Sequence, residues 1–197
     1  MVKEFEFTPA ADVWVLLDLD AAWHVGEGMH STEEYAVTAA ASLAAHFLHA
    51  GRSVGLVASA RQQQAIPPDR GDRQLTRILE TLALVKANGR IPLHSLLSSE
   101  RSRLQRTATV LAVTPSTDQR WAGALAQIRQ SGIHAAAVLV EGSTFAPVAP
   151  ATMQVATLTS GGVPTHLIKR SASIREAIAT GLAQGLSGTG RLRGGRG

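Results

Sequence analysis

Short runs of apolar residues, separated by longer segments with helical periodicity, recur along the chain. The first long run, Val13 to Leu17, is mostly aliphatic and is followed by two carboxylates, Asp18 and Asp20. Such a run is typical of a strand buried on both faces, as in the middle of a parallel sheet. Further strands are predicted by similar runs at 53–58, 109–113, 135–140 and 163–168.

The segments between these runs carry helix signals. Ser31 to Glu34 has the S-x-x-E form of a capping box and predicts a helix that ends near Gly51. Gly71-Asp72 begins a second helix, which should end at Asn88-Gly89, and Pro92 suits the first turn of the next one. Strand, loop and helix thus follow one another in the first half of the chain.

The second half of the chain continues this alternation. Asp118 is placed to cap a helix, and Ser173 to Glu176 again matches a capping box. The segment 150–161 fits either a helix or a loop, and Arg61 to Gln64 predicts a turn that leads to an exposed edge strand or loop. The alternation predicts an α/β fold, a doubly wound and mostly parallel sheet with helices on both faces.

A single domain over residues 1–184 is expected, followed by a short tail. Lys3 to Phe7 alternates polar and apolar residues and predicts a short edge strand. Gly, Ser, Thr and Arg predominate in residues 185–197, so we predict a disordered tail there.

Composition narrows the class of protein. Hydrophobic residues make up 45% and charged residues 17% of the chain, which excludes a largely disordered protein. Aromatic residues make up only 4%, which disfavours a single-stranded nucleic-acid binder because few rings are available for base stacking. The formal charge of +4 comes mainly from arginines in the tail, so no specific nucleic acid is expected as a partner.

The chain contains no cysteine, which excludes a disulfide framework, a thiolate zinc site and a cysteine nucleophile. This fits a reducing compartment. No apolar run approaches the roughly 20 residues that a helix needs to cross a bilayer. We therefore expect a cytoplasmic chain without a membrane span.

Asp18 and Asp20 are the leading candidates for chemistry, because ligands of open α/β sheets bind beside the carboxyl ends of the strands. Two residues apart on an extended segment, they could serve as general acid and base, but an aspartate at a strand end more often binds loop amides. No hydrolase signature surrounds Ser59 or Ser116. Trp23, close to the carboxylates, is a candidate anchor for a partner protein.

Four pieces of sequence occur in a recognisable order: Phe5–Asp20, the helix Glu34–Leu48, the turn Gly51–Leu56 and the helix start Gly71–Leu75. Over residues 4–180 the chain resembles the carboxyl-terminal half of the bacterial family called domain of unknown function 58, whose members contain a von Willebrand factor A-like domain. The resemblance implies six strands in the order 3-2-1-4-5-6. It also implies membrane helices and a β-rich segment upstream in longer relatives, and work beside MoxR-type AAA+ ATPases.

Domains of the von Willebrand A class commonly hold a divalent cation in a metal-ion-dependent adhesion site, through a D-x-S-x-S loop plus a threonine and an aspartate from two other loops. The first loop here is Asp18-Leu19-Asp20-Ala21-Ala22, so one hydroxyl is missing and the other is replaced by a carboxylate. The second loop, at 90–93, has no threonine, and Thr114-Pro115 stands where the family often has Ser-Asp. We expect a degenerate site without a cofactor; the alternative is weak Mg²⁺ binding by Asp18, Asp20, Ser116 and Asp118.

The resulting hypothesis is a non-catalytic protein-interaction domain, an adaptor or scaffold in the cytoplasm or, in a longer product, at the cytoplasmic face of the membrane. It would dock a protein, such as a MoxR-type ATPase, through loops 18–30, 59–61 and 114–118, with the acids at an open rim. The predicted partner-binding residues are Asp18, Asp20, Trp23, Ser59, Arg61, Thr114 and Ser116.

Two alternatives come from other classes. One is a Mg-dependent hydrolase or phosphatase that uses Asp18 and Asp20 as metal ligands. The other is a nucleic-acid accessory role through the basic tail, residues 185–197, which would make binding strongly dependent on salt.

Overall fold

A six-stranded sheet runs through the structure, a computed structural model that describes residues 12–174. Its strands are β1 (Val13–Leu17), β2 (Val54–Ala58), β3 (Gln64–Asp69), β4 (Thr109–Thr114), β5 (His134–Val140) and β6 (Thr165–Ile168). They lie in the order β3-β2-β1-β4-β5-β6. Every neighbouring pair is parallel except β2 and β3, which are antiparallel. The predicted fold class and strand order are confirmed.

The central position of β1 follows from its composition. Val13, Val15 and Leu17 point to one side of the sheet and Leu16 to the other, and all four side chains are fully buried. β3 is an edge strand because Pro67 and Pro68 lack the N–H groups that an inner strand must donate. The segment after the turn at Arg61 to Gln64, which the sequence predicts as an exposed edge strand or a loop, is therefore a strand.

Helices cover both faces of the sheet, as predicted. They are α1 (Thr32–His49), α2 (Asp72–Leu84), α3 (Leu93–Glu100), α4 (Gln119–Gln130) and α5 (Thr152–Ser160). The helices α1 and α2 pack on one face, whereas α3, α4 and α5 pack on the other, where Trp121 is the largest fully buried side chain. The ambiguous segment before β6 is thus helical. Single 3-10 turns occupy Gly28–His30, Arg101–Arg103 and Gly142–Thr144.

The predicted helix starts are confirmed by their caps. The Ser31 hydroxyl accepts a hydrogen bond from the Glu34 backbone N–H at 3.2 Å, and the Asp118 carboxylate accepts one from the Arg120 backbone N–H at 3.0 Å. The predicted end of α2 at Asn88-Gly89 is wrong. Its backbone leaves the helix at Val85, with ψ of 152°, because the following segment turns back to contact the end of β1.

Some predictions fall outside the described residues. These are the edge strand Lys3 to Phe7, the later part of the capping box Ser173 to Glu176, and the domain end at 184 with the tail 185–197. Among residues 12–174, no helix is both long and apolar enough to cross a bilayer.

Candidate functional site

Asp18 lies at the carboxyl edge, the edge of the sheet where β1, β2, β4 and β5 end. Its Oδ2 accepts a hydrogen bond from the Thr114 hydroxyl at 2.6 Å, and its Oδ1 accepts one from the Asp20 backbone N–H at 3.0 Å. Thr114 is the last residue of β4, the neighbour of β1, so one carboxylate bridges two strand ends. This bond joins the two strand ends between which a ligand was expected.

Burial raises the pKa of Asp18 from 3.8 to about 6. The loss of solvation is the main cause, and the neighbouring carboxylate of Asp20 adds to it, whereas the hydrogen bonds from Thr114 and the Asp20 backbone oppose it. At neutral pH the carboxylate is therefore mostly ionised, and two donors point at its charge.

The end of β2 contributes Ser59, whose hydroxyl oxygen accepts a hydrogen bond from the Leu19 backbone N–H at 3.0 Å. Beyond it, the Asp20 carboxylate accepts a hydrogen bond from the Ala22 backbone N–H at 3.1 Å. Each side chain thus binds an amide of the loop after β1. This is the loop-amide role expected of an aspartate at a strand end.

Gly89 binds the loop after β1 through two backbone hydrogen bonds. Its N–H donates to the Leu19 carbonyl at 2.9 Å, and its own carbonyl accepts from the Ala21 N–H at 3.1 Å, which extends the parallel pairing to Asp20. A Cβ atom at position 89 would collide with the Ser59 carbonyl oxygen. Only glycine therefore allows the segment after α2 to lie this close to the end of β1.

The loop after β4 is fixed in the same way. The Thr114 hydroxyl oxygen accepts from the Ser116 backbone N–H at 2.9 Å, and the Ser116 hydroxyl accepts from the Asp118 N–H at 3.1 Å. The indole of Trp121 donates to the Ser116 carbonyl at 3.0 Å. Arg120 pairs with the Asp118 carboxylate at 2.7 Å and lowers the pKa of that carboxyl. Asp118 is thus already engaged by an arginine.

His24 joins the site although the sequence did not single it out. Its Nε2 donates to the Asp18 carbonyl at 3.0 Å, and its Nδ1 lies 3.3 Å from the Thr32 hydroxyl. Burial lowers the pKa of His24, so the neutral ring is favoured. The only sequence signal for this role is the position of a histidine in the loop directly after the carboxylates.

The expectation that the two acids lie at an open rim is wrong, because Asp18 is 0% and Asp20 only 8% exposed. The cause is the hydrogen bonding just described, in which loop N–H groups and a hydroxyl take up the carboxylate oxygens and the loops cover the acids. We call this group of five buried side chains the Asp18 network: Asp18, Asp20, Ser59, Thr114 and Ser116. All five are predicted partner-binding residues, and their side chains are buried beneath the surface.

Two of the predicted partner-binding residues do reach the surface. Trp23 is half-buried, directly after the Asp20 turn, where its backbone N–H donates to the Asp20 carbonyl at 3.1 Å. Arg61 is exposed, and its backbone N–H donates to the Asn88 side-chain carbonyl at 2.9 Å. Their binding role stays a prediction.

Comparison with other proteins identifies the family. The sequence matches the family described as "Protein of unknown function DUF58" over residues 1–181. The chain belongs to this family. A search of curated proteins finds no match to this DUF58 chain.

Solved structures show what the DUF58 fold resembles. BatB, a conserved hypothetical protein from Bacteroides thetaiotaomicron, is 12% identical with a TM-score of 0.63, and the match covers 90% of this chain and 99% of that chain. An aerotolerance-related membrane protein from Bacteroides fragilis is 13% identical with a TM-score of 0.59, covering 90% and 98%. Proximal thread matrix protein 1 from the mussel byssus, with a zinc-occupied MIDAS motif, is 10% identical with a TM-score of 0.61, covering 87% and 47%. The fold is thus von Willebrand factor A-like.

The residues of this DUF58 chain do not fit the divalent-cation site of such domains. Mg²⁺ requires about six oxygens in octahedral geometry. The Asp18 carboxylate already accepts two internal hydrogen bonds, and Ala22 has no side-chain oxygen where the motif has a hydroxyl. No group of three or more His, Cys, Asp or Glu side chains within residues 12–174 could hold a metal ion.

Several exposed apolar side chains of this DUF58 chain lie at the carboxyl edge of the sheet. Among the described residues, six large hydrophobic side chains are exposed, and only Leu79 lies away from the carboxyl edge, in the middle of α2. The others, on loops or helix ends at this edge, are Met29 (77%), Leu84 (83%), Ile91, Val148 and Met153. Five of these six exposed side chains thus lie at the carboxyl edge of the sheet.

Proposed function

We propose that this chain is a non-catalytic protein-interaction domain with a degenerate, metal-free adhesion site, and that it binds a partner protein at the carboxyl edge of its sheet. The observation that carries the proposal is the position of the exposed apolar side chains, five of which among the described residues lie on loops and helix ends at this edge, while the two acids are buried. Interfaces bury apolar side chains at their centre, so this edge suits a protein better than a small polar substrate.

The Asp18 network supports this function by holding the loops in place. It ties the loop after β1 to the ends of β2 and β4, and Gly89 adds the loop after α2. A surface formed by loops that are already ordered loses less conformational entropy when a partner binds. The acids therefore serve binding indirectly, as positioning residues.

The same hydrogen bonds argue against catalysis. A nucleophile needs a base within reach, and a general base needs a free acceptor. The Ser59 hydroxyl is bound to the Leu19 amide, and the His24 ring donates to a backbone carbonyl. The Thr32 hydroxyl, which lies 3.3 Å from His24 Nδ1, is fully buried and is bound to the Val25 backbone, so a substrate cannot reach it as a nucleophile.

For the partner we favour a MoxR-type AAA+ ATPase, as the family resemblance implies, and for the location the cytoplasm or the cytoplasmic face of a membrane. The experiment therefore tests binding between this chain and a MoxR-type ATPase directly.

The test measures binding of the purified chain to the MoxR-type ATPase of the same genome by biolayer interferometry. Trp23→Ala and Met29→Ser should each weaken binding by about fivefold or more, because each removes on the order of 1 kcal/mol of apolar contact. Arg70→Ala is the control, since Arg70 is exposed just beyond the end of β3 at the opposite edge of the sheet. Equal binding by all variants, or no binding by the wild type, would contradict the proposal.

The alternative is a Mg-dependent hydrolase or phosphatase in which Asp18 and Asp20 are metal ligands, and the raised pKa of Asp18 weakens this candidate because a ligand carboxylate must be ionised. That function predicts release of phosphate from p-nitrophenyl phosphate in the presence of Mg²⁺ or Mn²⁺, and its loss in Asp18→Asn. We expect no turnover above the buffer rate from the wild-type chain.

A further inference from the structure

A pocket of about 530 Å³ opens at the carboxyl edge, beside the end of β2 and the end of α2. Ala60 and Val85, both nearly buried, form its apolar floor. Leu84 forms one side with 83% of its surface exposed, and Arg61 and Lys86 line the pocket as its two cations. We call this the basic pocket.

The charged side chains that line the basic pocket are all positive. No Asp or Glu is among the described residues that line it. Lys86 lies 3.7 Å from the Glu33 carboxylate, but the lysine side chain is 67% exposed, and such an exposed pair contributes little energy. Both cations therefore remain available to an acidic partner.

The two sides of the basic pocket are fixed to each other. The hydrogen bond from the Arg61 backbone N–H to the Asn88 side-chain carbonyl joins the turn after β2 to the segment after α2. Leu84 is the last residue of α2 and lines the same pocket, and no described residue covers its side chain. A preformed pocket with an exposed leucine and two cations can accept a ligand without large rearrangement.

We propose that the basic pocket binds an acidic peptide segment of the partner protein, with its carboxylates on Arg61 and Lys86 and an apolar side chain on Leu84. The inference rests on the proposed function and specifies the chemistry of the partner. A peptide suits the pocket better than a bare anion because the exposed Leu84 and the apolar floor offer contacts to an apolar side chain, which a bare anion lacks.

The experiment measures fluorescence anisotropy of a short labelled peptide of glutamates with interspersed leucines. The wild-type chain should bind it, and Arg61→Ala and Lys86→Ala should each weaken binding by about two- to fivefold, the range of an exposed ion pair. Leu84→Ser should weaken binding without changing its salt dependence, whereas Arg70→Ala is the matched control and should bind like the wild type. Thermal unfolding of each variant checks that it is folded.

Several outcomes would overturn the inference: no binding by the wild type, equal binding by all variants, or equal binding of a peptide in which glutamine replaces glutamate. Displacement by sulfate far below the ionic strength at which chloride acts would show a site for bare anions instead. Self-association of the chain, lost in Arg61→Glu, would show that a second copy occupies the pocket. If the peptide fails while Trp23→Ala still weakens ATPase binding, only this inference fails and the proposed function stands.

Discussion

The centre and the flank of the carboxyl edge use polar side chains in opposite ways. At the centre, the Asp18 carboxylate is buried and accepts hydrogen bonds from Thr114 and the Asp20 backbone. On the flank, Arg61 and Lys86 are exposed around an open pocket. Both groups lie at the same edge of the sheet, so this position does not decide whether a polar group meets a ligand. What decides is whether neighbouring loops supply hydrogen-bond partners and cover it.

The largest expected effect is that of a substitution at Gly89, which packs against the strand ends beside the Asp18 network. Gly89→Ala should lower the free energy of unfolding by about 3 kcal/mol, because the new Cβ collides with the Ser59 carbonyl oxygen and lies 2.9 Å from the Leu19 carbonyl oxygen, both on backbone. Denaturant unfolding measures the change. Gly123→Ala in α4 is the matched control, since its Cβ meets nothing within 4 Å and alanine favours the helix. Equal stabilities of the two variants would show that Gly89 does not pack closely against the Ser59 and Leu19 carbonyl oxygens.

The pH dependence of stability tests the burial of Asp18. A carboxyl whose pKa is higher in the folded than in the unfolded protein binds more protons when folded, so stability falls as pH rises from about 4 to about 6. The pKa difference of about two units corresponds to roughly 3 kcal/mol.

Asp18→Asn keeps an acceptor for the Asp20 N–H, and its amide can donate to the Thr114 hydroxyl oxygen, so it should remain folded and lose this fall in stability. His24, whose lowered pKa acts in the opposite direction, is common to both proteins. The difference between the two urea-unfolding curves at each pH therefore isolates Asp18. A difference that is constant between pH 4 and pH 7 would mean that the carboxylate is solvated.

The flank should tolerate changes that the core does not. Leu84→Ser should alter the free energy of unfolding by less than about 0.5 kcal/mol, because the side chain is 83% exposed. Leu82→Ser, two residues earlier on the buried side of the same helix, should cost about 2 kcal/mol or more. Thermal unfolding compares them. A large loss in Leu84→Ser would mean that the leucine is packed against the protein and not available to a partner.

The smallest expected effect is that of divalent cations. A ligand at 100 times its dissociation constant stabilises a protein by about 2.7 kcal/mol. Because the carboxylates of the centre are engaged by internal donors, we expect no change in the melting temperature with millimolar Mg²⁺, Mn²⁺ or Ca²⁺ relative to Na⁺ at equal ionic strength. A clear upward shift that disappears in Asp18→Asn would show that a cation opens the network and binds there.

Much of the fold could be predicted from the sequence because the signals are local. The apolar run of β1 indicated a central strand, and the hydroxyl of Ser31 and the carboxylate of Asp118 marked helix starts. The burial of the acids could not be predicted, since it depends on Thr114, which lies 96 residues from Asp18 in the chain. Gly89 was interpreted as a helix stop, and nothing local shows that its backbone pairs with Asp20.

The exposed side of the site was predicted only in part. Trp23 and Arg61 were named because of their loops, but Met29, Leu84 and Val148 were not. An isolated apolar residue in a sequence looks the same whether it points into the core or outward. Only the ends of the packed helices show that these residues share one region.

The prolines of β3 have a consequence for how this molecule assembles with others. Successive N–H groups of a strand point to opposite sides, so of the adjacent Pro67 and Pro68 one removes an N–H group from the outer border of the sheet, where an added strand would need it. Regular strand pairing with a sister copy or with a foreign extended chain is therefore disfavoured at this border. The prolines thus act against edge-to-edge association of the sheet on the β3 side.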